Sequence, residues 1–138
     1  MHTNLYVALA VLALATPALA DGDVEAGKKA FTLCKACHSV NPPEGDPLVK
    51  GGKVGPNLYG IIGRQVASVA DYALYGDGIK AVGAAGMVWT VEELESYMTE
   101  PNVWIKDKTG DTSAKSKMTG KTAKNQADII AFLQSLQP

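Results

Sequence analysis

Three stretches of the chain repeat their apolar residues at helical intervals, and the text between them does not. Val24, Gly27, Ala30 and Phe31 follow Asp23, a residue type whose carboxylate caps helix starts. Leu94, Tyr97 and Met98 share one side of a helix opened by Thr90-Val91-Glu92-Glu93. That is a capping box, in which the Thr and Glu side chains satisfy free backbone N–H groups of the first turn, and Pro101 is expected to end the helix. The third stretch opens at Asn125 and places Ile129, Phe132, Leu133 and Leu136 in one apolar stripe. A stripe needs a packing partner; the first helix is the expected one, with Gly27 letting the two backbones approach closely. From Asn41 to Gly63 prolines and glycines set the backbone, so this part reads as loop. No segment alternates as a half-buried strand does, and the expected fold class is all-α with long loops.

A different pattern marks the beginning. Residues 1–20 contain no charged side chain, run apolar from Leu5 to Ala15 and close on Ala18-Leu19-Ala20 before Asp21. This reads as a secretory signal peptide cut after Ala20, leaving residues 21–138 as one domain. A membrane anchor is the alternative, but a span needs about 20 apolar residues, and this run is shorter and broken by Pro17. No stable membrane insertion is therefore expected.

Charge adds two points. The 13 basic and 14 acidic residues give a net charge of -1, which argues against general nucleic-acid binding. Their distribution is uneven: six lysines (106, 108, 115, 117, 121 and 124) face only Asp107 and Asp111 between Pro101 and Lys124, whereas Glu92, Glu93, Glu95 and Glu100 make the preceding segment acidic. A single domain of this size buries a limited core unless a prosthetic group supplies part of its interior.

The chemistry sits in Cys34-Lys35-Ala36-Cys37-His38, which holds both cysteines and one of the two histidines. Four readings compete. A redox dithiol of the thioredoxin sort wants a βαβ context, which the pattern lacks. Zinc wants four ligands, and the other histidine, His2, lies in the expected leader. A Cys34–Cys37 disulfide is the bland outcome in an oxidising compartment. Covalent haem attachment uses every residue of the motif: two thiols add across two vinyl groups and the adjacent imidazole reaches the iron. The expected cofactor is thus one haem c, bound through Cys34 and Cys37, with His38 as one axial ligand. For the opposite face, Met87 precedes a helix and Met98 lies within one, whereas Met118 stands in the loop KSKMTGKTAKNQ, free to fold over a flat cofactor. Met118 is the expected second ligand.

These motifs form a series. GKKAFTLCKACH, KGGKVGPNLYGIIGR, WTVEELESYMTEP, KSKMT and GKTAKNQADIIAFL occur in an order and spacing that resemble the class I c-type cytochromes, and within them the bacterial cytochromes c2. The resemblance spans nearly all of residues 22–137. It implies a small cytochrome c fold around one haem, with Cys34, Cys37, His38 and Met118 in the roles given above. It further implies that the Pro56 carbonyl accepts a hydrogen bond from His38 Nδ1, that Arg64, Tyr75 and Trp89 surround the haem propionates, and that Tyr97 lies near the methionine ligand. For Trp89, Tyr75 and Tyr97, plain core packing is an equal reading. One position departs from the family: relatives usually carry an aromatic residue two positions after the methionine, and here Gly120 stands there. A more hydrated or more mobile ligand loop is expected.

The function implied is one-electron transfer by Fe(III)/Fe(II) cycling, without catalysis, in a periplasmic monomer. The donor would be a quinol–cytochrome c reductase (bc1 complex) and the acceptor a photosynthetic reaction centre or a terminal oxidase, docking at a lysine-rich face by the haem edge. The rival is a haem enzyme or small-ligand sensor in which Met118 dissociates. The stretch GDGIKA, residues 76–81, fits a loose dinucleotide-binding pattern, but no strand clearly precedes it, and a glycine-rich turn is expected instead.

Overall fold

A computed structural model describes residues 21–137; the expected leader, residues 1–20, lies outside them. Among the described residues, five α-helices and one 3-10 helix carry the fold. They are α1 (Val24–Ala30), continuing into the 3-10 helix Phe31–Ala36, then α2 (Asp77–Ala84), α3 (Val91–Thr99), α4 (Pro101–Thr109) and α5 (Gln126–Ser135). Among the described residues the only β-pairings are two isolated antiparallel bridges, Val40 with Val49 and Gln65 with Val88. No described helix is long and apolar enough to cross a membrane.

The first and last helices form as their patterns predict. Asp23 Oδ1 accepts from the Ala26 N–H at 2.7 Å, capping α1. The Asp23 N–H in turn donates to Asp128 Oδ1 of α5 at 2.8 Å, so the start of one helix is tied to the other. The two cross at Gly27, where a Cβ would sit 1.9 Å from the Asp128 carbonyl oxygen, so no side chain larger than hydrogen fits. Phe31 and Phe132 meet just beyond the crossing, ring centroids 5.5 Å apart. The buried face of α5 is wider than the predicted stripe: Ile130 and Ala131 are buried with Ile129, Phe132 and Leu133, because α3 packs on α5 as well as α1. Each large aliphatic or aromatic side chain so buried contributes about 1.5–3 kcal/mol relative to exposure.

Three expectations need correction. Pro101 does not merely end α3, which stops at Thr99; it opens α4 at a position where its missing N–H costs nothing, and α4 runs to a left-handed Gly110 (φ 68°). The stretch 76–81 is the start of α2 rather than a turn. Gly78 lets α2 settle onto α4, since a Cβ there would lie 2.7 Å from Ile105 Cγ2, and packing outweighs the low helix propensity of glycine. The capping box is only half made. Thr90 Oγ1 accepts from the Glu93 N–H at 3.1 Å, but both Glu93 carboxylate oxygens turn to α4, one taking Trp104 Nε1–H and the other Lys108 Nζ, each at 2.7 Å.

That contact leads into an aromatic joint. Trp89 stacks on Trp104 (centroids 5.1 Å, planes 23° apart) and Tyr97 closes the group at 5.2 Å from Trp89 and 5.1 Å from Trp104. The long loop is fastened to the same place. Gly63 N–H donates to the Trp89 carbonyl at 2.7 Å, Trp89 N–H to Arg64 at 2.9 Å and Val66 N–H to Met87 at 2.9 Å.

Candidate haem site

The 3-10 helix that follows α1 presents the motif. Cys34 lies within it and Cys37 at its end, and both Cys37 and His38 donate their backbone N–H to the Cys34 carbonyl, at 3.1 and 2.9 Å. One turn thus sets all three side chains. Cys34 is half-buried, Cys37 is exposed, and they are not bridged. Burial, with a smaller contribution from Cys37, pushes the Cys34 thiol up to about 11. A dithiol that exchanges electrons needs a lowered thiol pKa, so this environment speaks against the redox reading. Nor does any group of three or more His, Cys, Asp or Glu residues that could hold a metal ion occur among the described residues, which leaves a zinc site without its ligands.

His38 is held from its far side. Its Nδ1 lies 2.7 Å from the Pro56 carbonyl oxygen. A carbonyl only accepts, so Nδ1 carries the proton and Nε2 keeps its lone pair. Burial lowers the His38 pKa, helped by the charge of Arg64 and opposed by the Pro56 hydrogen bond, which favours the neutral imidazole, the form that ligates iron. Gly55 makes the fit possible: a Cβ there would stand 2.3 Å from His38 Cε1. Gly51 and Gly52 do the same for the backbone, lying against the His38 and Ala36 carbonyl oxygens where Cβ atoms would come within 1.8 and 2.3 Å.

Around this centre the other expected residues take definite places. Arg64 is half-buried and donates to the carbonyls of Tyr59 (2.9 Å) and Asn57 (3.0 Å), with no acidic partner among the described residues. A partly desolvated cation so placed suits an anionic group such as a haem propionate. Tyr75 accepts from the Val69 N–H at 3.3 Å and packs edge-on against Tyr72. Trp89 and Tyr97 belong to the aromatic joint. The Tyr97 hydroxyl pairs with Ser116 Oγ at 2.9 Å, and Ser116 Oγ also accepts from the Met118 N–H at 3.0 Å. Met118 is half-buried, and its side chain and that of Cys34 pack against the same core. Met98 is buried within α3 and Met87 half-buried before it.

Sequence reasoning passed over Gly55, Ser116 and Asn102. Ser116 stands two residues before Met118, a spacing that suits a hydroxyl bond to the loop backbone and was a usable signal. For Gly55 and Asn102 no local signal exists: Gly55 abuts the His38 ring and Asn102 Oδ1 accepts the Ser116 N–H at 2.8 Å, each partner distant in sequence.

Free thiols on one turn, an imidazole whose Nδ1 faces a carbonyl, a half-buried cation with no acidic partner among the described residues and a methionine on the same core fit a covalently held haem. No family model matches the chain. Curated relatives do. Cytochrome c-550 of Paracoccus versutus is 51% identical over 141 residues, covering 100% of this chain and 91% of the relative. Cytochrome c2 of Rhodobacter capsulatus is 44% identical over 128 residues, covering 93% and 92%. Among solved structures, ferric cytochrome c-550 from Paracoccus versutus superposes with a TM-score of 0.82 at 52% identity, over 86% of this chain and 100% of that one. Cytochrome c2 from Rhodobacter capsulatus gives 0.79 at 43% identity, over 83% and 97%. The chain belongs to the cytochrome c-550/c2 family of class I c-type cytochromes. It is an electron carrier whose cofactor is covalent haem c.

Proposed function

We propose that Cys34 and Cys37 form the two thioether links to the haem, that His38 Nε2 and the Met118 sulfur are its axial ligands, and that the protein shuttles single electrons in the periplasm. The observation that carries this reading is the His38 Nδ1–Pro56 contact of 2.7 Å beside two unbridged thiols. Bound here, the haem iron supplies reversible Fe(III)/Fe(II) exchange, at a potential raised by thioether ligation. The chain does the rest. Pro56 keeps the proton on Nδ1 and leaves Nε2 free to hold the iron; Arg64 offers a cation for the propionates; the core that Met118 packs against would limit water at the group it holds. Held by both His38 and Met118, the iron would keep no open position for a substrate, and the proposed task is therefore transfer rather than catalysis.

Residues 1–20 act as a leader removed on export, leaving the cytochrome domain, residues 21–138. The donor is a quinol–cytochrome c reductase, and the acceptor a photosynthetic reaction centre or terminal oxidase. One feature favours a second reading, a small-ligand sensor with a dissociable Met118: a Cβ at Gly120 would meet nothing within 4 Å, so nothing presses the ligand loop shut at that point.

The optical spectrum of the oxidised holoprotein decides. A sulfur-to-iron charge-transfer band that vanishes in Met118→Ala is expected, with pigment that stays on the polypeptide in acidified organic solvent. Extractable pigment would overturn the thioether assignment; rapid carbon monoxide binding to the reduced protein would favour the sensor.

A further inference from the structure

The loop that carries Met118 is fastened unevenly. On its upstream side, Asn102 in the first turn of α4 accepts the Ser116 N–H on Oδ1 at 2.8 Å. Ser116 passes the restraint on, because its hydroxyl oxygen receives the Met118 N–H and meets Tyr97. The base of this clamp is set in the core: α4 is anchored by Trp104 and Ile105, 4% and 1% exposed. On the downstream side Gly120 contributes no packing. There the fastenings are the Thr122 N–H on the Met98 carbonyl at 2.8 Å and an exposed Lys121–Glu100 ion pair at 3.1 Å, a kind of contact worth little in water.

We propose that Asn102 is a positioning residue for Met118, fixing Ser116 and thereby setting how often the methionine side of the site opens. This rests on the reading of Met118 as the iron's second ligand. Local opening depends on the free-energy difference between the closed loop and its open forms. With one backbone hydrogen bond and an exposed ion pair holding the downstream half, the Asn102–Ser116 bond is a substantial part of that difference. Asn102 itself is exposed, so its removal leaves no cavity and separates positioning from overall stability.

The test uses the oxidised holoprotein at fixed pH and ionic strength, with imidazole as the probe and loss of the charge-transfer band as the signal. Asn102→Ala should accelerate displacement of Met118 about three- to tenfold, the range one hydrogen bond supports, with a thermal midpoint close to the parent's. Asn102→Asp should restore the parent rate, because a carboxylate oxygen accepts the same N–H. Ser116→Ala, independent of the residue at 102, should be at least as fast as Asn102→Ala. Parent-like displacement in Asn102→Ala overturns the proposal whatever Ser116→Ala does, as does an Asn102→Asp protein as fast as a fast Asn102→Ala. A parent protein with no such band instead overturns the Met118 assignment, and this inference falls with it.

Discussion

Gly55 sets a tight tolerance around the His38 ring. With a Cβ only 2.3 Å from His38 Cε1, Gly55→Ala forces the ring away from the Pro56 carbonyl or the loop away from the ring. Overpacking of this kind costs about 1–3 kcal/mol, so the denaturation midpoint of the holoprotein should fall measurably; an unchanged midpoint would show that the loop yields freely. Glu93 offers a test by pH. The Lys108 hydrogen bond, against burial and with help from Trp104, holds its carboxyl below the usual range. A depressed folded-state pKa stabilises the protein above the unfolded value, and this is lost as pH falls through the folded one. Glu93→Gln should therefore cost on the order of 1 kcal/mol at neutral pH and make thermal stability decline less on acidification than in the parent. At this scale the core of the candidate site was legible because Cys34, Cys37 and His38 stand together in one short motif, which a single turn of the 3-10 helix presents. Gly55 was not legible, since what it must avoid lies seventeen positions earlier in the chain.

Elements were legible where burial followed a period. The helices α1, α3 and α5 carry regular apolar spacing and were expected close to their observed bounds; α2 and α4 were not. In α2 the sequence is rich in glycine, and in α4 the buried pair Trp104 and Ile105 is too short a signal beside Lys106, Asp107 and Lys108. Both helices depend on each other and on the joint with Trp89, a tertiary cause that local propensity does not contain. The Met118 loop was rightly read as loop, and its weak point is an element-scale property. A Gly120→Phe variant has room for its ring and should exclude water from the site, raising the reduction potential, because water favours the more highly charged oxidised centre. A potential unchanged or lowered in redox titration would show that this edge is already dry.

For the molecule as a whole, charge is less polarised than the linear count of lysines suggested. Lys108 is engaged with Glu93 and Lys121 with Glu100, whereas Lys106, Lys115, Lys117 and Lys124 are exposed with no ion pair among the described residues. Of the six lysines, these four are the ones available for the expected docking onto acidic partners. Second-order electron-transfer rates should fall as salt shortens the screening length from about 10 Å at 0.1 M. Lys115→Glu and Lys117→Glu should flatten that dependence more than Lys108→Gln does, as stopped-flow kinetics at varied ionic strength would reveal. The aromatic joint has a practical corollary. Both tryptophans of the protein stand face to face within it, so indole emission samples a single spot. Unravelling that starts where α1 crosses α5 would pass unseen by fluorescence and need circular dichroism or amide exchange to be caught.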